Sequence, residues 1–222
     1  MWLSMISTTK KYNVHLFLEG FEEEYFFEIV KQFGVHENID LTFENVEGFG
    51  NIAPYYQAGF GSGEHDCLLC VYDVDYRQEE EDSPYNEVAS KLESILGDSQ
   101  MVQSISFCTN PNILQILLLG CDSLNNILLM NGSKKANSPI VKKYWPKIKK
   151  PYDAKEWQLE IIKDSYVYGT YTYDDLFNNC SSLSNTYLAM QPGSNIFKLL
   201  KALKDGDIEF FEEINKQVNY TC

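Results

Sequence analysis

Three acidic side chains sit where short apolar runs end: Glu19 follows residues 13–18 (NVHLFL), and Asp73 and Asp75 follow residues 66–72 (DCLLCVY). Residues two apart on an extended chain point to the same side, so Asp73 and Asp75 present their carboxylates together. Carboxylates crowded at one place repel unless a cation joins them. Donor sets made only of oxygen suit Mg2+ or Mn2+ better than Zn2+. A divalent ion held by two or three carboxylates, with positions left for phosphate and water, stabilises the charge that develops as a phosphodiester breaks. The residue types are therefore compatible with metal-assisted chemistry on a phosphate group.

Other combinations carry less chemistry. Cys67 and Cys70 have the spacing of half a zinc site, but no second CxxC or His pair completes it, and both fall inside an apolar run. They read as core thiols. His15, His36 and His65 form no HxH or HExxH pattern and read as structural or surface residues. No Gly-x-Ser-x-Gly elbow supports a serine hydrolase. Gly59–Gly63 (GFGSG) precedes a strand and lacks a following Gly-Lys-Ser/Thr, so it reads as a turn. The acidic run 79–82 (EEED) reads as a solvated loop.

The elements that must position the acids are legible from periodicity. Strands are expected at 13–18, 39–46, 66–72 and 102–108, the third almost wholly apolar, as in a parallel sheet covered on both faces. Helices are expected at 22–33, with Tyr25, Phe26, Ile29, Val30 and Phe33 at helical spacing, at 51–60, at 85–96 with Gly97 as stop, and at 112–119 after Pro111. Such alternation predicts an α/β fold with a mostly parallel sheet, in which ligands bind outside the carboxyl ends of the strands. Beyond residue 130 the pattern turns helical, over 140–149, 154–164, 174–190, 195–203 and 207–218, with Asp207 as an N-cap. The expected organisation is an α/β catalytic domain over residues 1–130 and a mainly helical C-terminal region over 131–222.

Composition sets bounds on this reading. The 222 residues carry a net charge of -14, and 44% hydrophobic with 14% aromatic content excludes a disordered chain. An acidic total argues against a general nucleic-acid coat protein. The charge is uneven, however: residues 1–100 hold 20 acids and 5 bases, residues 101–222 hold 12 acids and 13 bases. Eight of the 18 bases fall between Lys134 and Lys155. In that segment Lys134, Lys135, Lys142, Lys143 and Lys147 alternate with Tyr144 and Trp145, a pattern that can neutralise phosphates and stack unpaired bases. The bland alternative is a solvated helix face around a buried Trp. The first residues lack the apolar core of a signal peptide, no run is long enough to span a bilayer, and the scattered cysteines suit reduced thiols. A cytoplasmic location without membrane contact is expected.

The strand ending in Glu19-Gly20, the aromatic helix with Tyr25 and Phe26, and the strand ending in Asp73-Val74-Asp75 resemble the TOPRIM domain of topoisomerases, primases and bacterial nucleases. Thr109-Asn110-Pro111 at a further strand end resembles the Asn-Pro segment of RloB-like TOPRIM proteins. The similarity covers roughly residues 12–130. The chain departs from the RloB-like pattern at Leu114 and Ile116, where an acid and a Trp are usual, and at Phe21–Glu24, where Lys/Thr-Glu is usual. The resemblance implies that Glu19 is the general acid/base, that Glu19, Asp73 and Asp75 hold Mg2+ or Mn2+, and that Gly20, Asn110 and Pro111 support them. It implies a nuclease acting on DNA or RNA in bacterial anti-phage defence, with an ATPase partner protein and room for oligomerisation; the chain itself has no nucleotide-binding motif. Two other readings stand beside it. One is a non-catalytic interaction module on the same fold. The other is a haloacid dehalogenase-type phosphatase, because residues 71–75 (VYDVD) also resemble that nucleophile strand.

Overall fold

A computed structural model describes residues 10–74, 83–110, 113, 174, 177, 178, 181 and 193–219. Strand β1 (Tyr12–Leu18) places Val14, Leu16 and Leu18, all fully buried, on one face, and Asn13, His15 and Phe17 on the other. Helix α1 (Phe21–Phe33) follows, then β2 (Ile39–Asn45), α2 (Phe49–Ser62) and β3 (Cys67–Asp73). Next come α3 (Pro84–Leu96), α4 (Ser99–Ile105) and β4 (Ser106–Asn110). The described C-terminal residues form β5 (Gly193–Ser194), α5 (Ile196–Asp205) and α6 (Ile208–Asn219).

The sheet order is β2-β1-β3-β4-β5. The first four strands run parallel, and β5 runs antiparallel to β4. This is the expected α/β architecture with C-terminal helices. Register assigns the faces. Leu16 pairs with Phe43, which meets Phe27 of α1, whereas Phe17 on the opposite face meets Tyr55 and Tyr56 of α2. The two helices therefore cover opposite faces. Of the residues expected on the apolar face of α1, Phe26, Ile29 and Val30 are buried, each contributing about 1.5–3 kcal/mol of apolar burial, Tyr25 and Phe33 are partly buried, and Phe27 is buried beside them. A Cβ at Gly59 of α2 would stand 2.8 Å from Cζ of Phe17, so that helix lies close on β1 because the residue has no side chain.

One element differs from its sequence pattern. Residues 102–105, expected to open the fourth strand, are the end of helix α4, and the strand begins at Ser106. The Asp98 side chain accepts the Gln100 amide at 2.7 Å and starts the helix, and Val102 and Ile105, three apart, are buried on its inner side. A cap outside the apolar run decides its conformation. The expected helices at 195–203 and 207–218 are present as α5 and α6, and Asp207 caps α6 by accepting the Phe210 amide at 3.1 Å. The expected helices at 112–119, 140–149 and 154–164 lie outside the described residues apart from Ile113, and that at 174–190 apart from residues 174, 177, 178 and 181.

The C-terminal residues reach the sheet through side-chain chemistry. Ser194 donates to the Cys108 carbonyl at 2.8 Å, and Asn195 accepts the Cys108 amide and donates to the Ser106 carbonyl, both at 2.8 Å. The Asn195 amide thus continues the ladder that the short β5 begins, and β4 has no open edge there.

Candidate metal centre

In an open α/β sheet, a crevice forms outside the strand carboxyl ends where successive connections leave in opposite directions. Here β1 leads outward to β2, and β3 on its other side leads to β4, so that point lies between β1 and β3. Glu19 is the first residue after β1, and Asp73 is the last residue of β3. Of the expected site, Glu19, Gly20, Asp73 and Asn110 are described. Asp75, Pro111, Lys134, Lys135, Lys142, Lys143 and Lys147 lie outside the described residues.

The structure brings Glu19 and Asp73 together through the backbone. Glu19 donates its amide to the Val71 carbonyl at 3.0 Å, and its Oε2 accepts the Asp73 amide at 2.9 Å. The Glu19 carboxylate is thereby aimed across the β1–β3 gap. Asp73 Oδ1 accepts the Ile113 amide at 2.9 Å, which orients the Asp73 carboxylate. Asn110, fully buried, ends β4 beside Asp73, and Val74 donates to the Thr109 carbonyl at 2.9 Å. The loop after β2 closes the other side, with Gly48 donating to the Glu19 carbonyl at 2.7 Å.

A third carboxylate joins them that the sequence pattern did not single out. Glu23 is 2% exposed, and its Oε2 accepts the Gly20 amide at 2.9 Å. Burial first, then the charge of Glu19, push its carboxyl up to about 7, against the opposing pull of the Gly20 amide and the Asp73 side chain. Asp73 lies on the α1 face of the sheet, since Cys67 of the same strand pairs with Val14, and this is why an α1 residue reaches it. Two signals mark Glu23 in the sequence: it is the third helical residue after the Gly20 cap, the position whose carboxylate turns back to the cap amide, and it is four residues after Glu19. Its neighbour Glu24 serves the fold, accepting from Asn45 Nδ2 at 3.0 Å. A Cβ at Gly20 would lie 3.6 Å from Glu23 Oε2 and 3.7 Å from Glu22 Oε2, in ordinary van der Waals contact, so position 20 lies beneath carboxylates.

The ionisable side chains gathered at this point, Glu19, Glu23 and Asp73, are all carboxylates, the donor chemistry of a hard divalent cation. Among the described residues, no three His, Cys, Asp or Glu side chains are gathered into a finished metal cage. Glu19, Glu23 and Asp73 each commit one oxygen to a backbone amide. Each of these bonds fixes the direction of its carboxylate.

The remaining candidates behave as core. Cys67, Cys70 and Cys108 are buried free thiols, and burial pushes all three upward, Cys67 to about 12, so they stay protonated. His15 stacks on His65 at 4.3 Å between ring centroids and meets Thr42 Oγ1 at 2.8 Å, on the α2 face away from Asp73. A cavity of about 210 Å3, lined by Tyr56, His65, Asp66, Cys67, Ile214 and Val218, lies at the amino end of β3, opposite to the carboxylates. No helix among the described residues is long and apolar enough to cross a membrane.

No family model matches the chain, and no curated protein matches it. Among solved structures, the chain is similar to the C-terminal region of the Xanthomonas campestris pv. campestris OLD protein, at 12% identity over 94% of this chain and 92% of that one, with a TM-score of 0.35. Similarity at that level assigns neither fold nor activity.

Proposed function

We propose that this chain is a metal-dependent nuclease with a TOPRIM-like site, in which Glu19, Asp73 and Asp75 hold Mg2+ or Mn2+ and Glu23 supports them. The observation that carries the reading is the bond from the Asp73 amide to Glu19 Oε2, at 2.9 Å across the β1–β3 gap. It couples two acids 54 residues apart at the position where α/β sheets bind ligands. A bound divalent ion would supply a Lewis acid for the phosphoryl oxygens. Glu19 moves the proton of the attacking or leaving oxygen, Asp73 keeps its orientation through the Ile113 amide, and Glu23 sets the charge of the group by holding or releasing its proton. The basic segment from Lys134 to Lys147 would guide the nucleic-acid backbone, and an ATPase partner protein would supply the nucleotide-driven control absent from this chain.

Incubating the purified protein with plasmid DNA and with total RNA in Mn2+ tests the proposal. Glu19→Gln, Asp73→Asn and Asp75→Asn are each expected to abolish cleavage, with a loss of at least about 100-fold for the acid/base residue. Cleavage retained in all three variants would refute the site.

A further inference from the structure

Phe21 is the first residue of α1, two positions after Glu19 and next to the Gly20 cap. The residue is 57% exposed. The other large apolar side chain open to solvent among the described residues is Tyr55, at 41%, which lies on α2 against Phe17 and has a hydroxyl to place in water. A single exposed aromatic is ordinary on a protein surface. Phe21 differs in three respects. It has no polar tip. It is stacked on Tyr25, with 6.3 Å between ring centroids and 27° between planes, and Tyr25 is itself packed against the core. The pair also stands at the same helix end that carries Gly20 and Glu23 into the carboxylate group. Tyr25 fixes the tilt of the outer ring, leaving one flat apolar face presented to solvent at the end of α1 that follows Glu19.

We infer that the Phe21 ring, backed by Tyr25, is a stacking platform for an unpaired nucleobase flanking the phosphate at the Glu19–Asp73 site, so the substrate is nucleic acid with an unpaired nucleotide at the cut. This rests on the nuclease reading and narrows its substrate class. A paired base inside a duplex has both faces covered by its neighbours and offers no free face to the ring; a base in a single strand, loop or bulge does. Stacking needs no hydrogen-bond match, so the platform selects for unpaired structure and tolerates any base. The acids of this helix start, Glu22, Glu23 and Glu24, also disfavour a duplex, which would bring two phosphate chains to the site.

The test uses the full chain and a single-stranded oligonucleotide carrying 2-aminopurine, with the same strand annealed to its complement as control. In Ca2+, binding of the single strand should change 2-aminopurine fluorescence through stacking. Phe21→Ala should weaken that binding about 10-fold, with Phe21→Trp and Phe21→Tyr retaining it. In Mn2+, Phe21→Ala should raise KM for the single strand by a similar factor while kcat changes little, and the annealed duplex should be cut poorly by wild type and variant alike. Equal binding and cleavage by wild type and Phe21→Ala, or duplex cut as well as single strand, would overturn the inference even if Glu19→Gln abolishes cleavage. A Phe21-dependent fluorescence change without Mn2+-dependent cleavage would uphold the platform and remove the nuclease reading. Neither binding nor cleavage would remove both.

Discussion

Gly206 offers a perturbation whose cost can be worked from the structure. It ends α5 in the left-handed conformation, φ 68° and ψ 34°, and donates its amide to the Ala202 carbonyl. A non-glycine residue there costs about 1–2 kcal/mol. A Cβ at that position would also meet the His36 ring, at 2.5 Å from Cγ and 2.9 Å from Cε1. His36 must then move, giving up the Asn38 amide that its Nδ1 accepts at 3.3 Å and disturbing the bond from its own amide to the Leu203 carbonyl at 3.0 Å. Displacing a packed ring adds about 1 kcal/mol or more. Gly206→Ala should therefore cost about 2–3 kcal/mol and lower Tm by about 4–12 °C for a chain of this size. Thermal or urea unfolding of Gly206→Ala, His36→Ala and the double variant separates the two parts. In the His36→Ala background only the backbone part should remain, leaving a coupling of about 1 kcal/mol. Below the melting temperature, cleavage should be unchanged, because His36 lies between α1 and the start of β2, at the sheet edge opposite Glu19. If Gly206→Ala costs as much with His36 removed as with it present, the close contact is not what holds this glycine.

Three other expectations follow from named contacts. Gly59→Ala sets a helix-propensity gain of about 1 kcal/mol against a Cβ 2.8 Å from Phe17 Cζ; because the Phe17 ring is hemmed in by His15, Tyr55 and Tyr56, unfolding measurements should show a net loss, and a gain in stability would contradict the packing. In metal-free protein, Glu23 has a folded pKa of about 7 against an ordinary 4.5, so its stabilising contribution is present below 4.5 and lost as pH rises through 7; urea midpoints in EDTA should show wild type losing stability relative to Glu23→Gln across that window, and a pH-independent difference would contradict it. For His15, burial and then His65 lower the pKa from 6.5 to about 4, so its contribution is present above 6.5 and lost as pH falls through 4; the imidazole proton shifts in NMR should titrate near 4, and a midpoint at the ordinary value would show the stacked pair to be open.

How far the sequence reached depended on whether a feature was local. The alternation of β1 and β2 and the helical spacing of Phe26, Ile29 and Val30 were legible because the two faces of an element differ in apolarity within a few residues. Glu19 and Asp73 were legible for the same reason, as polar residues at the ends of apolar runs. Residues 102–105 were not, because a short apolar run fits a strand or a helix and the Asp98 cap lies outside it. Glu23 sat in a run of three acids that periodicity treats alike; only the helix start at Phe21 and the face of Asp73 separate it from Glu24. The joining of Ser194 and Asn195 to β4 spans more than 80 residues and has no local signature. Asp75 and the lysines from Lys134 to Lys147 rest on sequence pattern alone.

Mn2+ binding measured by titration calorimetry tests most directly whether these acids form a metal centre. Wild type is expected to bind Mn2+ in a discrete event, and Glu19→Gln and Asp73→Asn are each expected to lose it while keeping the wild-type circular dichroism spectrum. An isotherm unchanged in both variants would place any bound metal elsewhere and contradict the account, and no binding above background in wild type would leave the fold as an interaction module.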